Sequence, residues 1–247
     1  HKEYRRQRQM CIRDSYLMAV KEGNSGAMNR IALYYQNVEN RPEKVEEYFK
    51  MAIEKGHIQS MIDLAYFYRL QKKYKETSKF LSMAVELGSV EAMIQLGLNY
   101  QHGNRFAEAE KIFKRAVDIG NLDAMNRLAN LYRILKREDE MLTYFNMAIE
   151  QGDSNALVNL GLYYQNSKTN YDEMKRLYNL AIEKGNLSAM HNFAIYFREV
   201  EWNEEEMLKY FTMAADLGFV SSICEMIDYH KYISKDKIEQ KRYENIL

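Results

Sequence analysis

A short block of residues recurs along the chain at an almost constant spacing. The block consists of Ala, then Ile or Val, then two variable residues and Gly, with a looser copy near the end. Its glycines lie 32 or 33 residues apart, at Gly23, Gly56, Gly88, Gly120, Gly152, Gly185 and Gly218. Such a period is typical of helical repeats, which are too short to fold alone and bury apolar surface against their neighbours. The sequence therefore predicts an all-α solenoid of about six to seven antiparallel helix hairpins.

The residues around each anchor glycine predict where one helix ends and the next begins. Glycine adopts the left-handed conformation that commonly ends a helix. The next residue is usually one whose side chain can cap a new helix. These predicted caps are Asn24, Ser89, Asn121, Asp153 and Asn186, whereas His57 and Phe219 break the pattern. Within the hairpins, second helices are predicted to start near Pro42, Asn170 and Asn203.

Two apolar stripes predict the core of each hairpin. We number positions from the preceding anchor glycine, so that position one follows it directly. In the first helix the stripe occupies positions five, eight, nine and twelve, as in Met125, Leu128, Ala129 and Tyr132. In the second helix it lies eleven, eight, seven, four and three residues before the next glycine. Both spacings place the apolar side chains on one face of an α-helix.

The repeat divides the chain into three predicted segments. Residues 1–15 do not fit the period and form a non-repeat segment, for which a basic arm, an artefactual stretch and a partial helix all remain open. Residues 16–233 are predicted to form a single helical-repeat solenoid. In residues 234–247 the pattern weakens, which predicts a closing helix that covers the last apolar face.

Composition narrows the classes of function. The chain has 35 Lys and Arg against 35 Asp and Glu, so net charge gives no reason to expect nucleic acid or a membrane surface. The two cysteines, Cys11 and Cys224, cannot form a disulfide framework, which favours a reducing, cytoplasmic location. We expect Cys224 to be a small buried apolar side chain. No apolar run is long enough to span a bilayer.

No group of residues predicts catalysis. The histidines occupy unrelated positions in the repeat, and the common metal-ligand and phosphate-loop patterns are absent from the sequence. Acidic clusters such as residues 204–206 stand at helix starts, where negative charge stabilises the helix dipole. We therefore expect a non-enzymatic protein with no catalytic residues, no metal site and no cofactor.

The repeats resemble a known family. The block around residues 180–190, followed by Leu or Phe, Ala or Gly, and Tyr, is similar to the Sel-one-like (SLR) branch of tetratricopeptide-like repeats. The hairpins here are shorter than is usual in that branch. The resemblance implies a right-handed superhelix that acts as an adaptor in protein complexes, with the first helices lining its concave side.

If the first helices line the concave side, their inner positions are candidates to bind a protein or peptide. These candidates stand at positions six, ten and thirteen: Ile62, Tyr66, Arg69, Ile94, Leu98, Gln101, Asn126, Asn130, Arg133, Val158, Leu162, Gln165, Ile195 and Arg198. Many of them are apolar. Two interpretations remain open, since apolar inner residues form either a contact groove or a second packing face that the superhelix itself buries.

Position thirteen alternates between glutamine and arginine. The arginines, Arg69, Arg133 and Arg198, recur in every second hairpin. They predict a guanidinium ladder that holds the carboxylates of an extended peptide, and we expect all three to point into one groove. Duplication of a two-hairpin module, without any binding role, is the simpler explanation of the alternation. An RNA-binding helical repeat and a structural module of a larger multidomain protein are the alternative functions.

Overall fold

The protein is built from helices. The computed structural model describes residues 2–247, with the side chains of residue 8 and residues 10–247, and this part of the chain contains fifteen α-helices and no strand. The helix α1 (Lys2–Lys21) comes first. The first helices of the hairpins are α2 (Ser25–Tyr34), α4 (Ile58–Leu70), α6 (Val90–His102), α8 (Leu122–Ile134), α10 (Ser154–Ser167), α12 (Leu187–Tyr196) and α14 (Val220–Tyr232). The second helices are α3 (Pro42–Glu54), α5 (Tyr74–Glu86), α7 (Phe106–Asp118), α9 (Glu138–Glu150), α11 (Tyr171–Glu183), α13 (Glu204–Asp216) and α15 (Lys237–Glu244).

These helices form seven hairpins, which confirms the predicted helical-repeat solenoid. Each first helix packs on its own second helix, as α4 does on α5 and α10 on α11. Within the two compact units, second helices also pack on the first helix that follows, as α5 does on α6 and α11 on α12. The helices group into two compact units, residues 1–124 and residues 125–247, with the boundary inside α8.

The helix ends follow the sequence prediction closely. All seven anchor glycines have a left-handed backbone, with φ between +75° and +88°. The predicted caps each accept a backbone N–H at the start of the following helix. The prediction was wrong at His57, because its imidazole Nδ1 accepts the N–H of Ser60 and caps α4 in place of Asn or Ser. Phe219 makes no side-chain cap, as predicted.

A second set of left-handed residues lies at the turn inside each hairpin, and none of them is glycine. Their φ values lie between +51° and +59°, at Asn40, Lys72, Asn104, Lys136, Lys168, Trp202 and Lys235. A non-glycine residue costs about 1–2 kcal/mol in this conformation. Asn40 and Asn104 are of a type that favours this conformation, but the sequence contains no such signal at the other five turns, which have lysine or tryptophan.

The predicted apolar stripes meet inside each hairpin. The stripe residues of α8 named above are at most 2% exposed, and Met141 and Phe145 of α9 are equally buried. An aromatic ring at position twelve stacks on a ring of the second helix in five hairpins. The pairs are Tyr35 with Tyr48, Tyr68 with Phe80, Tyr132 with Tyr144, Phe197 with Tyr210, and His230 with Tyr243. These stacked pairs close the turn end of the hairpin.

Two hairpins absorb an extra residue as a π-helical turn. The turns, Tyr35–Glu39 and Phe197–Glu201, continue α2 and α12. In each turn, the final glutamate forms an ion pair with a cation on the preceding helix. Glu39 pairs with Arg13 of α1, and Glu201 pairs with Lys175 of α11. Both cations stand ten residues before an anchor glycine.

The shared position of Arg13 and Lys175 shows that α1 stands where a second helix would stand. The helix α1 packs against α2, and at the other end of the chain α15 packs against α14 with Tyr243 buried. The division into a non-repeat segment 1–15, one array over 16–233 and a closing segment 234–247 stays a prediction.

A close contact at position nine gives a test of hairpin packing. A Cβ added to Gly161 would lie 2.7 Å from Cε1 of Tyr178 on the facing helix. We expect Gly161→Ala to lower the free energy of unfolding by about 1–3 kcal/mol, because overpacking outweighs the better helix propensity of alanine. Urea unfolding followed by far-ultraviolet circular dichroism measures this change.

The control replaces the ring of Tyr178 by the smaller side chain that another hairpin has at the same position. In the second hairpin Ala65 and Leu81 occupy these two positions. The same Gly161→Ala change should therefore cost much less in a Tyr178→Leu background. An equal cost in both backgrounds would show that the ring contact is not the cause.

Candidate partner-binding surface

The position-six residues predicted to bind a partner lie mostly inside the packing. Ile62, Ile94, Asn126 and Val158 are only 6–8% exposed. The sequence left open whether these residues form a contact groove or a second packing face. At position six they form a packing face that the array itself buries.

The exposure of Cys224 shows what buries the other residues at position six. Cys224 occupies position six of the seventh hairpin and is exposed. Its predicted burial was wrong. The structure describes no first helix after α14 that could cover Cys224. A residue at position six is therefore buried by the hairpin that follows it.

Polar residues at position six bond to the next hairpin. The Asn29 amide donates to Ser60 Oγ at 3.0 Å and to Asp63 Oδ2 at 2.7 Å. His191 Nδ1 lies 2.9 Å from Ser222 Oγ, and burial lowers the pKa of this imidazole. Ser60 and Ser222 both stand at position four, where the other hairpins have alanine. These pairs fix which hairpin follows which.

Position ten is accessible, in contrast to position six. Tyr66 is 48% exposed and Leu162 is 37% exposed. Leu98, Asn130 and Ile195 are half-buried. Within each compact unit, positions ten and thirteen form an accessible surface, which we call the first-helix face of that unit.

Each arginine at position thirteen lines a pocket. The pockets beside Arg69, Arg133 and Arg198 have volumes of about 230, 240 and 250 Å³. They occupy equivalent places, between position thirteen of one hairpin and position seven of the next. The glutamines at position thirteen differ, since Gln101 is half-buried and Gln165 accepts the hydroxyl of Tyr178 at 2.8 Å.

The Arg69 pocket lies between the second and third hairpins and carries acidic groups. Arg69 lies over the ring of Tyr66 and donates to Gln95 Oε1 at 3.3 Å. Asp63 and Glu91 also line the pocket. Their carboxylates offset the guanidinium charge.

The Arg133 pocket is lined mostly by polar residues, and its described lining contains no carboxylate. Arg133 is exposed and donates from Nε to Asn130 Oδ1 at 3.3 Å. The other lining residues are Asn159, Leu162, Tyr163, Asn166 and Ser167. The Tyr163 hydroxyl donates to Glu138 outside this lining, and that hydrogen bond raises the pKa of Tyr163 to about 12. The guanidinium charge therefore faces amides and hydroxyls.

The Arg198 pocket is apolar, and its arginine is neutralised. Glu225, at position seven of the next hairpin, accepts from Arg198 at 2.6 Å. Phe211 lies beneath the guanidinium, 5.7 Å from ring centroid to Cζ. The rest of the lining is dominated by Met207, Leu208, Met226, Tyr229, Tyr232 and Ile233, with Asp228 at the edge.

Position seven of the following hairpin lines all three pockets, and the sequence analysis did not single it out. It holds Gln95, Asn159 and Glu225 opposite the three arginines. The expectation that all three arginines point into one common groove stays a prediction.

Comparison with known proteins identifies the type of repeat. Family models described as tetratricopeptide repeat match residues 90–120 and residues 122–151, each of which is one hairpin. A protective antigen of uropathogenic Escherichia coli strains, which displays an SLR fold, superposes with a TM-score of 0.58 at 18% sequence identity. Two of its hairpins match tetratricopeptide repeats, and the chain has a helical-repeat fold similar to the SLR fold.

Other solved structures share the fold of this tetratricopeptide-like protein. A Sel1 repeat protein from Oxalobacter formigenes has a TM-score of 0.57 and 22% identity, over 79% of this chain and 89% of its own. The human IFIT1 dimer with m7Gppp-AAAA has a TM-score of 0.54 and 17% identity, over 81% of this chain and 56% of its own. The match to the Escherichia coli antigen covers 94% of this chain but only 55% of the antigen. No curated protein matches the sequence.

Tetratricopeptide-like repeats generally mediate protein–protein interactions and are typically non-catalytic. Within the described residues, no three His, Cys, Asp or Glu side chains are grouped so as to hold a metal ion. A search of the same residues finds no helix with the length and apolarity needed to cross a membrane.

Two residues one turn apart on α10 distinguish the supporting layer from the first-helix face. Val158 is 6% exposed and Leu162 is 37% exposed. We expect Val158→Glu to destabilise the protein by roughly 3 kcal/mol or more, since it buries a carboxylate without a partner. Leu162→Glu should cost no more than about 1 kcal/mol. Urea unfolding compares the two variants, and equal losses would contradict this layering.

Proposed function

We propose that this protein is a non-enzymatic scaffold or adaptor that binds a protein or peptide along the first-helix face. The partner lies across successive first helices, on the concave side that the family resemblance implies. Its side chains enter the pockets beside the arginines at position thirteen. Small apolar pockets with a few fixed polar groups are the common form of a recognition site.

One observation carries this proposal: a pocket opens at the equivalent place beside each of the three arginines. The lining combines apolar side chains with hydrogen-bonding groups, which suits peptide side chains. Accessible Tyr66 and Leu162 on the same face add the apolar contact that holds a partner. Residues at position six support this face from below, and they are not expected to touch the partner.

RNA is the second candidate because IFIT1, a protein of similar fold, is solved with m7Gppp-AAAA. The pocket chemistry favours protein over RNA. Acidic groups line two of the three pockets, Asp63 and Glu91 in one, Glu225 and Asp228 in the other. These carboxylates repel a phosphate backbone. A structural module of a larger multidomain protein is compatible with the same use of the face.

We propose a reducing cytoplasmic setting for this function. The thiols of Cys11 and Cys224 are both exposed and unpaired. Exposed thiols persist in reducing compartments, whereas they become oxidised outside the cell.

A matched pair of variants tests whether partners use the first-helix face. Leu162 and Met213 are 37% and 39% exposed and lie in the same compact unit, but Met213 is on the second helix α13. We expect Leu162→Glu to reduce capture of peptides from a random phage-displayed library by about tenfold, because it places a charge in the contact surface. Met213→Glu should leave capture unchanged.

Two results would contradict the proposal. Equal capture by the Leu162→Glu variant and the unmodified chain would move binding away from the first-helix face. Salt-dependent binding of a fluorescent oligoadenylate, with no peptide captured, would favour the RNA candidate.

A further inference from the structure

The pockets beside Arg133 and Arg198 belong to the same compact unit and are built on equivalent positions. Each has an arginine at position thirteen and is also lined by residues at positions seven to fifteen of the next hairpin. Their chemistry nevertheless differs. The difference originates at position seven, which is Asn159 in one pocket and Glu225 in the other.

Glu225 removes the charge of its pocket. The ion pair with Arg198 is 2.6 Å long, and both side chains are more than a third exposed. A carboxylate from a partner would have to displace Glu225 to reach this guanidinium. Met207, Phe211 and Met226 provide an apolar floor, each at most 8% exposed. The rim is formed by Tyr232 and Ile233, which are 61% and 65% exposed. This pocket suits a large apolar side chain.

Asn159 leaves the charge of Arg133 in place. An amide opposite a guanidinium neither neutralises it nor competes with an incoming anion. The Arg133 side chain donates to Asn130 Oδ1, and the amide nitrogen of Asn130 is itself bonded to the Asn126 carbonyl. Asn159, Asn166 and Ser167 place further hydrogen-bonding groups around the pocket. A carboxylate is the group that this arrangement accepts best, because arginine binds it with two parallel hydrogen bonds.

The separation of the two pockets sets the spacing in the partner. Arg133 and Arg198 are two hairpins apart, and packed helices lie about 8–10 Å apart, so the pockets are separated by roughly 20 Å. An extended chain rises about 3.3 Å per residue, so this distance corresponds to about six residues.

We propose that residues 125–247 select an extended segment of a partner protein that carries an acidic residue about six positions from a large apolar residue. The acidic residue enters the Arg133 pocket, and the apolar residue enters the Arg198 pocket. Position seven of the following hairpin sets the preference of each pocket. This inference rests on the proposed function, since it assumes that the first-helix face binds a peptide. It also replaces the ladder of three equivalent guanidinium groups with one charged pocket and one apolar pocket.

Changing the residue at position seven should change whether a pocket prefers an acidic side chain of the peptide. The full chain is immobilised, and a random library of phage-displayed peptides is selected on it and on each variant. For the unmodified chain we expect enrichment of peptides with Asp or Glu about six residues from Leu, Met, Phe, Tyr or Trp. Asn159→Glu should abolish the acidic preference and keep the apolar one, because the new carboxylate pairs with Arg133. Glu225→Gln should add a second acidic preference, because it frees Arg198.

Additional variants keep the test independent of folding. Arg133→Gln replaces an exposed side chain and should also abolish the acidic preference. It tests the proposal independently if Asn159→Glu fails to fold. Lys184→Gln removes a positive charge from an exposed turn of the same unit and should leave the selection unchanged. Circular dichroism establishes that each variant keeps its helical content.

An enriched peptide, synthesised with a fluorescent label, gives the size of the effect. Replacing its acidic residue by the corresponding amide should weaken binding to the unmodified chain by about tenfold, and should not change binding to the Arg133→Gln variant. Equal weakening of both would overturn the inference. Capture on the first-helix face of peptides that lack the paired acidic and apolar residues would also overturn the inference. In that case the proposed function would stand. A failure to enrich any peptide would overturn both.

Discussion

Burial between consecutive hairpins is the interaction on which the rest of this structure depends. A hairpin of 32 or 33 residues has two apolar stripes but closes only one interface by itself. The following hairpin covers the remaining surface, including position six. The contrast between buried Ile62 and exposed Cys224, which occupy the same position in different hairpins, shows how directly burial depends on the neighbour. The left-handed glycines make this stacking possible, since they turn the chain within a few residues from one helix to the next.

The same interaction determines what the accessible face can offer a partner. Because the next hairpin covers position six, a partner meets accessible residues such as those at positions ten and thirteen. Because the next hairpin also brings its position seven alongside, each arginine acquires a partner from a different repeat. Arg198 meets Glu225 and Arg69 meets Gln95 in this way. The chemistry of a pocket is therefore a property of two adjacent repeats, and a single repeat does not define it.

The sequence predicted the fold well, because the features that define it are local and repeated. Helix ends depend on a glycine and a neighbouring cap, and the core depends on spacing within one helix. The missed features depend on residues distant in sequence or on small insertions. Arg198 and Glu225 are 27 residues apart, so their pairing requires the stacking geometry. The sequence could not tell whether Val158 is buried or exposed, since a helical wheel shows a second apolar face without showing what covers it. The π-helical turns accommodate one extra residue, whereas the fifth hairpin accommodates its extra residue in a longer α10, and the period alone does not distinguish the two.

Removing the last hairpin tests most directly whether neighbours stabilise one another. Hydrogen exchange measured by mass spectrometry would compare the full chain with a chain that ends at Gly218. We expect the amides of α12 and α13 to lose protection most, because His191 loses Ser222 and Phe219, and Arg198 loses Glu225. The loss should decrease toward α10. Unchanged protection of α12 and α13 would show that each hairpin is stable by itself, and would contradict this account.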